Sequence, residues 1–415
     1  MPYFSIYTPT HDAKHILRAA ESLSAQTFKD FEWILMPNGG AMLPEHSKLP
    51  NVRIVEPSDK SCKTIGRLKG ECCDAASGEV LVELDHDDEL TPDCLEELHR
   101  AFSDETVDFC YSNDADLDRD LNPFVYSPVY GWRDRPFEFR GRTIKEQISF
   151  PPTAASFSKI WFAPNHVRAW RRSFYEKIGG YDKSMEVLDD QDILSRTYIS
   201  GNIKFIDKCL YVYYRHEGNT CYGDKNKFIQ TETLNIHDKY IYRLAERWSD
   251  LNGLLKIDLC GGFNPPPGYK SVDLRNADIV HDLNKPWPFK DGEVGVIRAH
   301  DALEHLRDPI HVMKEAHRCL APLGWFLTMT PSTDGRGAFQ DPTHISFWNS
   351  NSFWYYTKQE TAKYIGTPVR FQLNRIKNFF PNEYCQTHNI AYVKADLVRL
   401  PDRDSDIRVP GQVDI

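Results

Sequence analysis

The sequence predicts an α/β protein made of two successive domains, each built on a mostly parallel sheet. The chain has 415 residues, which exceeds the roughly 250 to 300 residues at which a single core stops growing. Short apolar runs alternate with helix-period segments from Tyr3 to Val82, and the same alternation restarts after Leu254. A polar stretch that ends at Gly253 separates the two regions. We therefore expect one domain over residues 1–245 and another over residues 252–415.

The elements of the first domain follow in order from this alternation. The segments FSIYTPT, EWILMPN and EVLVELD are predicted strands, with helices over AKHILRAAESLSAQ and over residues 65–76. Residues 120–160 have little periodicity and are predicted to form a long loop. Helices are expected again near residues 170–178, 189–200 and 227–248, with a strand in KFIDKCLYVYYRH. Ligands bind beyond the carboxyl ends of such strands, which places a crevice at the polar residues that follow them: Thr8, Thr10, Asp12, Asn38, Asp85 and Asp87.

Composition excludes some classes of protein and favours others. Hydrophobic residues make up 41% and the net charge is −10, so the chain folds and carries no broad basic surface for nucleic acid. Ten cysteines without a CxxC pair are expected to be reduced, buried thiols. No run approaches the ~18 to 20 apolar residues of a membrane helix, and the opening residues lack the pattern of a targeting peptide. A cytoplasmic protein without a membrane span is expected.

The segment LVELDHDDEL contains a DxD motif at the end of an apolar strand. Four acidic or imidazole side chains follow one another at Asp85, His86, Asp87 and Asp88, and such a cluster repels itself unless a cation binds. Carboxylate oxygens suit the hard ions Mg²⁺ and Mn²⁺, which keep open positions for the oxygens of a diphosphate. A solvated cap at a strand-to-helix turn is the other interpretation of an isolated DxD.

Five blocks in fixed order resemble family 2 glycosyltransferases over residues 1–245: FSIYTPTHD, QTFKDFEWILMPNGG, GRLKGECCDAASGEVLVELDHDD, RRSFYEKIGGYDKSMEVLDDQDILSR and LYVYYRHEGNT. The resemblance implies a GT-A (nucleotide-diphospho-sugar transferase) fold. It also implies a donor site at Thr8, Pro9, Asn38, Lys69 and Asp85, with Lys69 near the diphosphate. It further implies a metal site at Asp85, Asp87 and His216, and a catalytic pair in which Asp190 is the general base and Asp189 stands beside it.

Each of these roles has a plainer alternative. Asp190 would serve as a helix N-cap, and His216 would be an ordinary loop histidine. If the resemblance holds, Asp190 takes the proton of an acceptor hydroxyl while its oxygen attacks the anomeric carbon, and inversion follows. The expected enzyme is a hexosyltransferase-like glycosyltransferase that uses Mn²⁺ or Mg²⁺ and a nucleotide-sugar donor, expected to be a UDP-sugar.

The second domain resembles class I methyltransferases that use S-adenosylmethionine, over about residues 254–350. The carrying segments are KIDLCGGFNPPPGYKSVDL and HDLNKPWPFKDGEVGVIRAHDALEHLRDPIHVMKEAHRCLAPLGWFLTMTPS. The resemblance implies a Rossmann-like fold that holds the cofactor at Asp258, Gly261, Gly262, Asp273 and Asp282, with His300 and Asp301 at the edge of the transfer site. Asp341 and His344 in DPTHISFW are either a base pair for chemistry or loop anchors.

The prolines after the glycine loop forbid the usual first helix. The second domain is therefore either a methyltransferase or a retained fold used for docking, which would make the protein a homo-oligomer through this domain.

The preferred function is glycosyl transfer to a glycan or small-molecule hydroxyl, with methyl transfer as a second activity. One alternative is a methyltransferase whose N-terminal domain only binds a sugar nucleotide or glycan. The other is a viral-type DNA base glycosyltransferase, which the acidic balance disfavours and the arginine-rich segments 131–142 and 168–172 keep open.

Overall fold

The computed structural model describes residues 1–45, 48–160, 162–217, 219 and 225–411. The chain divides into two compact units, one of Met1–Pro128 with Trp132–His237 and the other of Val129–Gly131 with Asp238–Ile415. The chain passes from the first unit to the second within one helix, Lys225–Leu251. The domain boundaries expected from the sequence, 1–245 and 252–415, stay a prediction.

The N-terminal unit is an α/β layer structure whose described residues form one sheet of 11 strands. In chain order the strands are β1 Phe4–Thr10, β2 Phe31–Pro37, β3 Val52–Ile54, β4 Val80–Glu83, β5 Glu89–Leu90, β6 Phe109–Leu117, β7 Pro123–Phe124, β8 Arg133–Phe139, β9 Arg142–Ile148, β10 Arg168–Arg171 and β11 Ile203–Tyr214. The helices are α1 Ile16–Ser24, α2 Ile65–Ala75, α3 Cys94–Phe102, α4 Arg172–Lys177, α5 Asp189–Ser200 and α6 Lys225–Leu251.

The parallel part of this sheet gathers strand ends at one edge. The main path runs β3-β2-β1-β4-β10-β6-β11-β5, and β1 pairs in parallel with both β2 and β4. All four residues of β4 are buried, as expected for a parallel strand that is covered on both faces. The carboxyl ends at Thr10, Pro37 and Glu83 therefore lie side by side.

The prediction of a long loop over residues 120–160 is wrong in its central part. Strands β8 and β9 form an antiparallel hairpin in which Arg133 faces Ile148 and Phe139 faces Arg142. The hairpin turns at Arg140 and Gly141, both with positive φ. Charged residues interrupt the apolar ones in both strands, and no residue of β8 is buried, so the sequence showed no regular apolar period here.

The C-terminal unit has a separate sheet of seven strands with its own apolar core. The strands are β12 Leu255–Leu259, β13 Lys270–Asp273, β14 Ile279–Val280, β15 Val294–His300, β16 Leu320–Pro331, β17 Phe371–Phe379 and β18 Tyr392–Arg399. Their order is β14-β13-β12-β15-β16-β18-β17, parallel except where β18 runs against both of its neighbours. The helices are α7 Pro309–Cys319, α8 Gly337–Gln340, α9 Ser350–Thr357, α10 Gln359–Ala362 and α11 Glu383–Thr387.

The connection between β12 and β13 contains no helix, as the prolines predicted. Residues 260–269 form turns, with left-handed backbone at Cys260, Gly262 and Gly268. The next connections are ordinary, and Asp308 caps α7 by accepting from the backbone N–H groups of Ile310 and His311.

Two predictions about the chain as a whole can be compared with the described residues. Nine cysteines in this part of the chain are free thiols, seven of them buried, and Cys221 lies outside the described residues. None of the helices that the structure describes combines the length and the apolar character needed to cross a bilayer.

Candidate functional site

The turn after β4 carries the DxD motif and is held by two tyrosines of β11. The carboxylate of Asp88 is fully buried and accepts from the Tyr211 hydroxyl at 2.9 Å and from the Tyr214 backbone N–H at 2.8 Å. The Tyr211 hydroxyl also accepts from the Asp85 backbone N–H at 3.1 Å. Burial, and then the nearby Asp87 and Asp85 carboxylates, raise the pKa of Asp88 well above its ordinary value. Asp88 is thus the anchor of the turn.

Asp87 meets a histidine that is distant in sequence. Its Oδ2 atom lies 2.7 Å from Nε2 of His216, which follows the end of β11. Arg18 of α1 donates to the Asp87 backbone oxygen at 2.9 Å and stacks on the Tyr214 ring. The side-chain carboxylate thereby stays directed at the histidine.

Asp85 shares this turn but does not complete a close triad. In the part of the chain that the structure describes, one group of three ligating side chains has donor atoms within 4.8 Å of one another, and it lies in the C-terminal unit. The structure therefore brings together two of the three residues assigned to the metal, Asp87 and His216. The role of Asp85 stays a prediction.

The residues assigned to the nucleoside pocket lie at the adjoining strand ends. Thr8 is fully buried, where its hydroxyl donates to the Leu84 backbone oxygen at 2.7 Å and accepts from the Trp33 indole N–H at 3.0 Å. Pro9 follows in β1 and is partly exposed, as is Asn38, whose backbone N–H donates to the Thr10 oxygen at 2.8 Å. Thr8 fixes the strand end, and Pro9 and Asn38 offer the accessible surface.

Asp190 lies in the first turn of α5 and is paired with a buried arginine. Its Oδ2 atom accepts from Arg168 at 2.9 Å, and its Oδ1 atom accepts from the backbone N–H of Gln191 at 2.8 Å. The Asp190 side chain is 23% exposed, whereas that of Arg168 is 2% exposed. The helix begins at Asp189 after Leu188, so Asp190 is not the N-cap. Arg168 thus holds the Asp190 carboxylate in place while part of the Asp190 side chain remains exposed. This arrangement suits a carboxylate that contacts a substrate.

Lys69, Glu83 and Asp189 form a buried ionic cluster beside Asp190. The Lys69 ammonium contacts Glu83 Oε1 at 2.5 Å and Asp189 Oδ2 at 3.6 Å. Burial would raise the pKa of Glu83, but the Lys69 ammonium and then His166 and Arg168 hold it well below its ordinary value. Burial raises the pKa of Asp189 to about 7, although Lys69 acts in the opposite direction. Lys69 thus neutralises carboxylates, and its contact with a diphosphate stays a prediction.

The glycine loop of the C-terminal unit follows β12. Asp258 is buried and accepts from Arg298 at 2.7 Å. A Cβ atom on Gly261 would lie 2.4 Å from the Asp258 Oδ2 atom, so a larger residue there would require the Asp258 carboxylate or the loop to shift. The next residue, Gly262, donates its backbone N–H to Asp273 Oδ2 at 3.3 Å. Gly262 and Asp273 are therefore in contact, while Asp258 pairs with an arginine; the binding of S-adenosylmethionine at these residues stays a prediction.

Three other residues predicted for this unit lie farther along the same sheet edge. Asp282 is partly exposed and accepts from the Asn284 backbone N–H at 3.1 Å. The His300 ring contacts Arg298 at 2.8 Å and the Tyr242 hydroxyl at 2.6 Å. Burial, then Arg298, lowers the pKa of His300 to about 3. Asp301 has a left-handed backbone and donates its N–H to the Met329 oxygen.

The two units match two different family models. Residues 5–179 match "Glycosyl transferase family 2", and residues 250–365 match "Methyltransferase domain". The N-terminal unit carries a family 2 glycosyltransferase domain. The C-terminal unit is a methyltransferase-type domain.

One curated relative is 25% identical over 224 residues, "Putative glycosyltransferase EpsH" of Bacillus subtilis (strain 168). The match covers 52% of this chain and 61% of that protein, so less than two thirds of the relative is spanned. Among solved structures, S. aureus TarS 1-349 in complex with UDP-GlcNAc is 16% identical with a TM-score of 0.42, and the match covers 60% of this chain and 72% of that one. The full S. aureus TarS gives a TM-score of 0.38, with 57% of this chain and 44% of that chain covered.

Two arginines that support the glycosyltransferase site, Arg168 and Arg171, were expected from the sequence only as part of a basic segment. The Arg168 side chain is buried against Asp190 and Glu83. Arg171 is likewise engaged, by Glu79 and by backbone oxygens. These two arginines are engaged within the fold, so Arg172 is the arginine of the 168–172 segment that stays accessible for DNA phosphates. An arginine inside an otherwise buried strand was the signal that pointed to an internal partner.

Proposed function

We propose that the glycosyltransferase domain moves a sugar from a nucleotide-diphosphate donor to a hydroxyl acceptor, with inversion at the anomeric carbon. The observation that carries this proposal is the contact between Asp87 and His216. The two residues are 129 positions apart, yet they meet at the carboxyl end of β4. The acidic turn after β4, the carboxylate fixed at the start of α5 and the family match over residues 5–179 support the same function.

The residues present fit a hard divalent ion. Asp87 and His216 would hold it, with Asp85 on the same turn as the third ligand. Two carboxylates and one imidazole suit Mn²⁺ or Mg²⁺, since oxygen ligands dominate and the remaining positions are left for the donor. When bound, the ion supplies positive charge to the leaving diphosphate. Asp88 is fully engaged by Tyr211 and Tyr214, so it is not a ligand in this proposal.

Asp190 is the proposed base. Its carboxylate takes the proton of the acceptor hydroxyl as that oxygen bonds to the anomeric carbon and the bond from this carbon to the diphosphate oxygen breaks. Arg168 positions the carboxylate through the 2.9 Å contact and keeps one oxygen occupied. The other oxygen caps the backbone of the next residue, so small rotations of the side chain exchange that contact for the acceptor.

Asp189 and Lys69 take a supporting part in this proposal. Both are buried, and their contact places a positive charge between Glu83 and the start of α5. In this arrangement the Lys69 ammonium contacts Glu83 and Asp189, and it would reach the donor diphosphate only after donor binding had rearranged these contacts. A glycan or small hydroxyl compound is the proposed acceptor, and action in the cytoplasm stays a prediction.

A donor screen tests the proposal. Purified protein is incubated with Mn²⁺ or Mg²⁺ and a panel of nucleotide sugars, with UDP-sugars first, and release of nucleoside diphosphate is followed. We expect one donor to be turned over in a metal-dependent way. Asp190→Asn and Asp87→Asn should each abolish release, whereas Asp120→Asn, an exposed acid on the β6–β7 turn, should not.

A failed screen has a defined meaning when binding is measured in parallel. Protein that neither releases diphosphate nor binds any nucleotide sugar in the presence of metal contradicts the proposal. Binding without release, unchanged in Asp190→Asn, would instead support the alternative in which this domain only binds the sugar nucleotide.

As a second activity we propose methyl transfer by the C-terminal unit. The favouring observation is the glycine loop, where Gly262 points its backbone N–H at the partly exposed Asp273 carboxylate, in a region that matches the methyltransferase model. Asp273 would accept the ribose hydroxyls of S-adenosylmethionine and the loop would approach its amino-acid end; the bound cofactor supplies the methyl group. The two activities would then act in turn on one acceptor.

Calorimetry with S-adenosylmethionine tests this second proposal. Binding that Asp273→Asn weakens at least about tenfold supports it. A protein that does not bind the cofactor leaves the C-terminal unit as a docking or dimerisation fold.

A further inference from the structure

Three side chains of the C-terminal unit form a group that the functions above do not use. Glu304, His305 and His344 each offer one ligating atom, and these atoms lie within 4.8 Å of one another. We call this group the Glu304 cluster. Glu304 and His305 belong to a short 3-10 turn, Leu303–His305, that follows β15 at the carboxyl edge of the sheet. His344 comes from the segment between α8 and α9.

Backbone hydrogen bonds fasten the two segments together. The N–H groups of Ile345 and Ser346 donate to the Glu304 backbone oxygen at 2.8 and 3.0 Å. The Ser346 hydroxyl donates to the Leu303 oxygen at 2.7 Å. The histidine of one segment is therefore held beside the carboxylate of the other by the fold, and the cluster does not depend on long flexible side chains.

Both histidines place Nδ1 against a backbone oxygen. Nδ1 of His344 lies 3.1 Å from the Ala338 backbone oxygen, and Nδ1 of His305 lies 3.2 Å from the Thr343 backbone oxygen. The Thr343 hydroxyl also lies 3.2 Å from Nδ1 of His305, but it donates its hydrogen to Asp341 Oδ1 at 2.7 Å. Since a carbonyl oxygen only accepts, Nδ1 carries the hydrogen in each ring and Nε2 keeps its lone pair. Metal-ligating histidines are commonly oriented in this way, with the outer N–H on a backbone carbonyl. The His344 side chain is only 8% exposed.

Glu304 has a carboxylate oxygen without a hydrogen-bond partner. The residue is 2% exposed. Its Oε2 atom accepts from the Thr330 hydroxyl at 2.7 Å, while its Oε1 atom is buried and has no such partner. An unsatisfied buried polar group costs about 1 to 3 kcal/mol, and more if it is charged. A cation between the carboxylate and the two imidazoles would remove that cost.

We propose that the Glu304 cluster binds one divalent first-row transition-metal ion, with open positions for an oxygen ligand. Two imidazoles and one carboxylate form the donor set of catalytic zinc sites and of facial iron or manganese sites, whereas closed structural zinc sites use four protein ligands. The ligand would be a hydroxyl or carboxylate compound that reaches the carboxyl edge of β15. This site is separate from the Asp87 and His216 pair, and the proposal does not rest on either function proposed above.

Metal titration of the full chain tests the proposal. The double variant Asp87→Asn/His216→Gln removes the ligands of the glycosyltransferase domain, and the chelator-treated protein is titrated with Co²⁺ while visible absorption and bound metal are measured. We expect one equivalent with the bands of nitrogen coordination. Adding Glu304→Gln or His344→Gln should weaken Co²⁺ binding about 100-fold or more, and adding His388→Gln, a histidine on the C-terminal side of α11, should leave it unchanged.

Two results would overturn the proposal. One is a double variant that binds no Co²⁺. The other is a Glu304→Gln protein that binds it as tightly as its parent. Glutamine has the shape of glutamate and can still accept from Thr330, so this variant keeps the test valid if His344→Gln does not fold. In the unsubstituted protein, Zn²⁺ should also protect His305 and His344 from diethyl pyrocarbonate, as read by mass spectrometry, and equal modification with and without Zn²⁺ would count against the site.

Discussion

Arg168→Met should destabilise the N-terminal unit and disable sugar transfer at the same time. The guanidinium donates to Asp190 at 2.9 Å, to the Pro164 backbone oxygen at 2.9 Å and to the Phe162 oxygen at 3.4 Å, and it lies 3.8 Å from Glu83. Removing one partner of a buried ion pair costs about 3 to 5 kcal/mol, because the remaining charge stays buried without compensation. Lys69 still neutralises Glu83 in part, so the lower end of that range is expected.

Urea unfolding followed by circular dichroism measures this loss, and release of nucleoside diphosphate measures the loss of activity. Arg172→Met is the matched control: that side chain is 34% exposed, makes one 3.3 Å bond to the Ala76 oxygen and has one ion pair at 4.0 Å. Its removal should cost under about 1 kcal/mol. Equal unfolding midpoints for the two variants would refute the conclusion that Arg168 bridges buried carboxylates.

Three further predictions concern other parts of the two sites. Burial raises the pKa of Asp189 from 3.8 to about 7, so between these pH values the native state binds a proton that the unfolded chain has lost. The stability of the protein relative to Asp189→Asn should therefore fall as the pH rises from about 4 to 7. Urea midpoints of the two proteins that run in parallel across this range would contradict the prediction. Tyr211→Phe leaves the buried Asp88 oxygen without its 2.9 Å donor and should raise the metal concentration for half-maximal activity several-fold, whereas Tyr355→Phe in the C-terminal unit should not. Gly261→Ala places a Cβ atom 2.4 Å from Asp258 Oδ2, which should cost about 1 to 3 kcal/mol and weaken S-adenosylmethionine binding in calorimetry; unchanged unfolding would show that the loop relaxes freely.

The parallel strands could be predicted from the sequence because their signal is local. Buried runs such as Val80–Glu83, followed by polar residues, indicate both a strand and the edge at which it ends. The hairpin of Arg133–Phe139 and Arg142–Ile148 could not be found in this way, since charged residues interrupt its apolar pattern and no residue of its first strand is buried. Its stability depends on pairing between strands, which no single segment reveals.

In the candidate site, too, the sequence indicated residues within local motifs but not the contacts that they make with residues distant in the chain. Asp87, Asp190 and His216 were chosen from ordered blocks, and the structure brings Asp87 to His216. Lys69 was assigned to the diphosphate, yet the structure directs its ammonium to Glu83 and Asp189. A buried lysine on a helix gives no hint of its partner, because that partner lies on a strand whose register is set by the fold. Arg168 in a buried strand did indicate an internal partner, but the sequence could not show that this partner is Asp190 of α5.

The most direct test of the central claim compares Asp190→Asn with the unsubstituted protein on the donor that the screen identifies. The rate of sugar transfer and the affinity for the donor with metal are measured separately. If Asp190 is the base held by Arg168, transfer should fall about 10²- to 10⁴-fold while the donor dissociation constant changes less than about threefold. Transfer that stays within about tenfold of the unsubstituted rate would contradict the account and show that another group removes the proton.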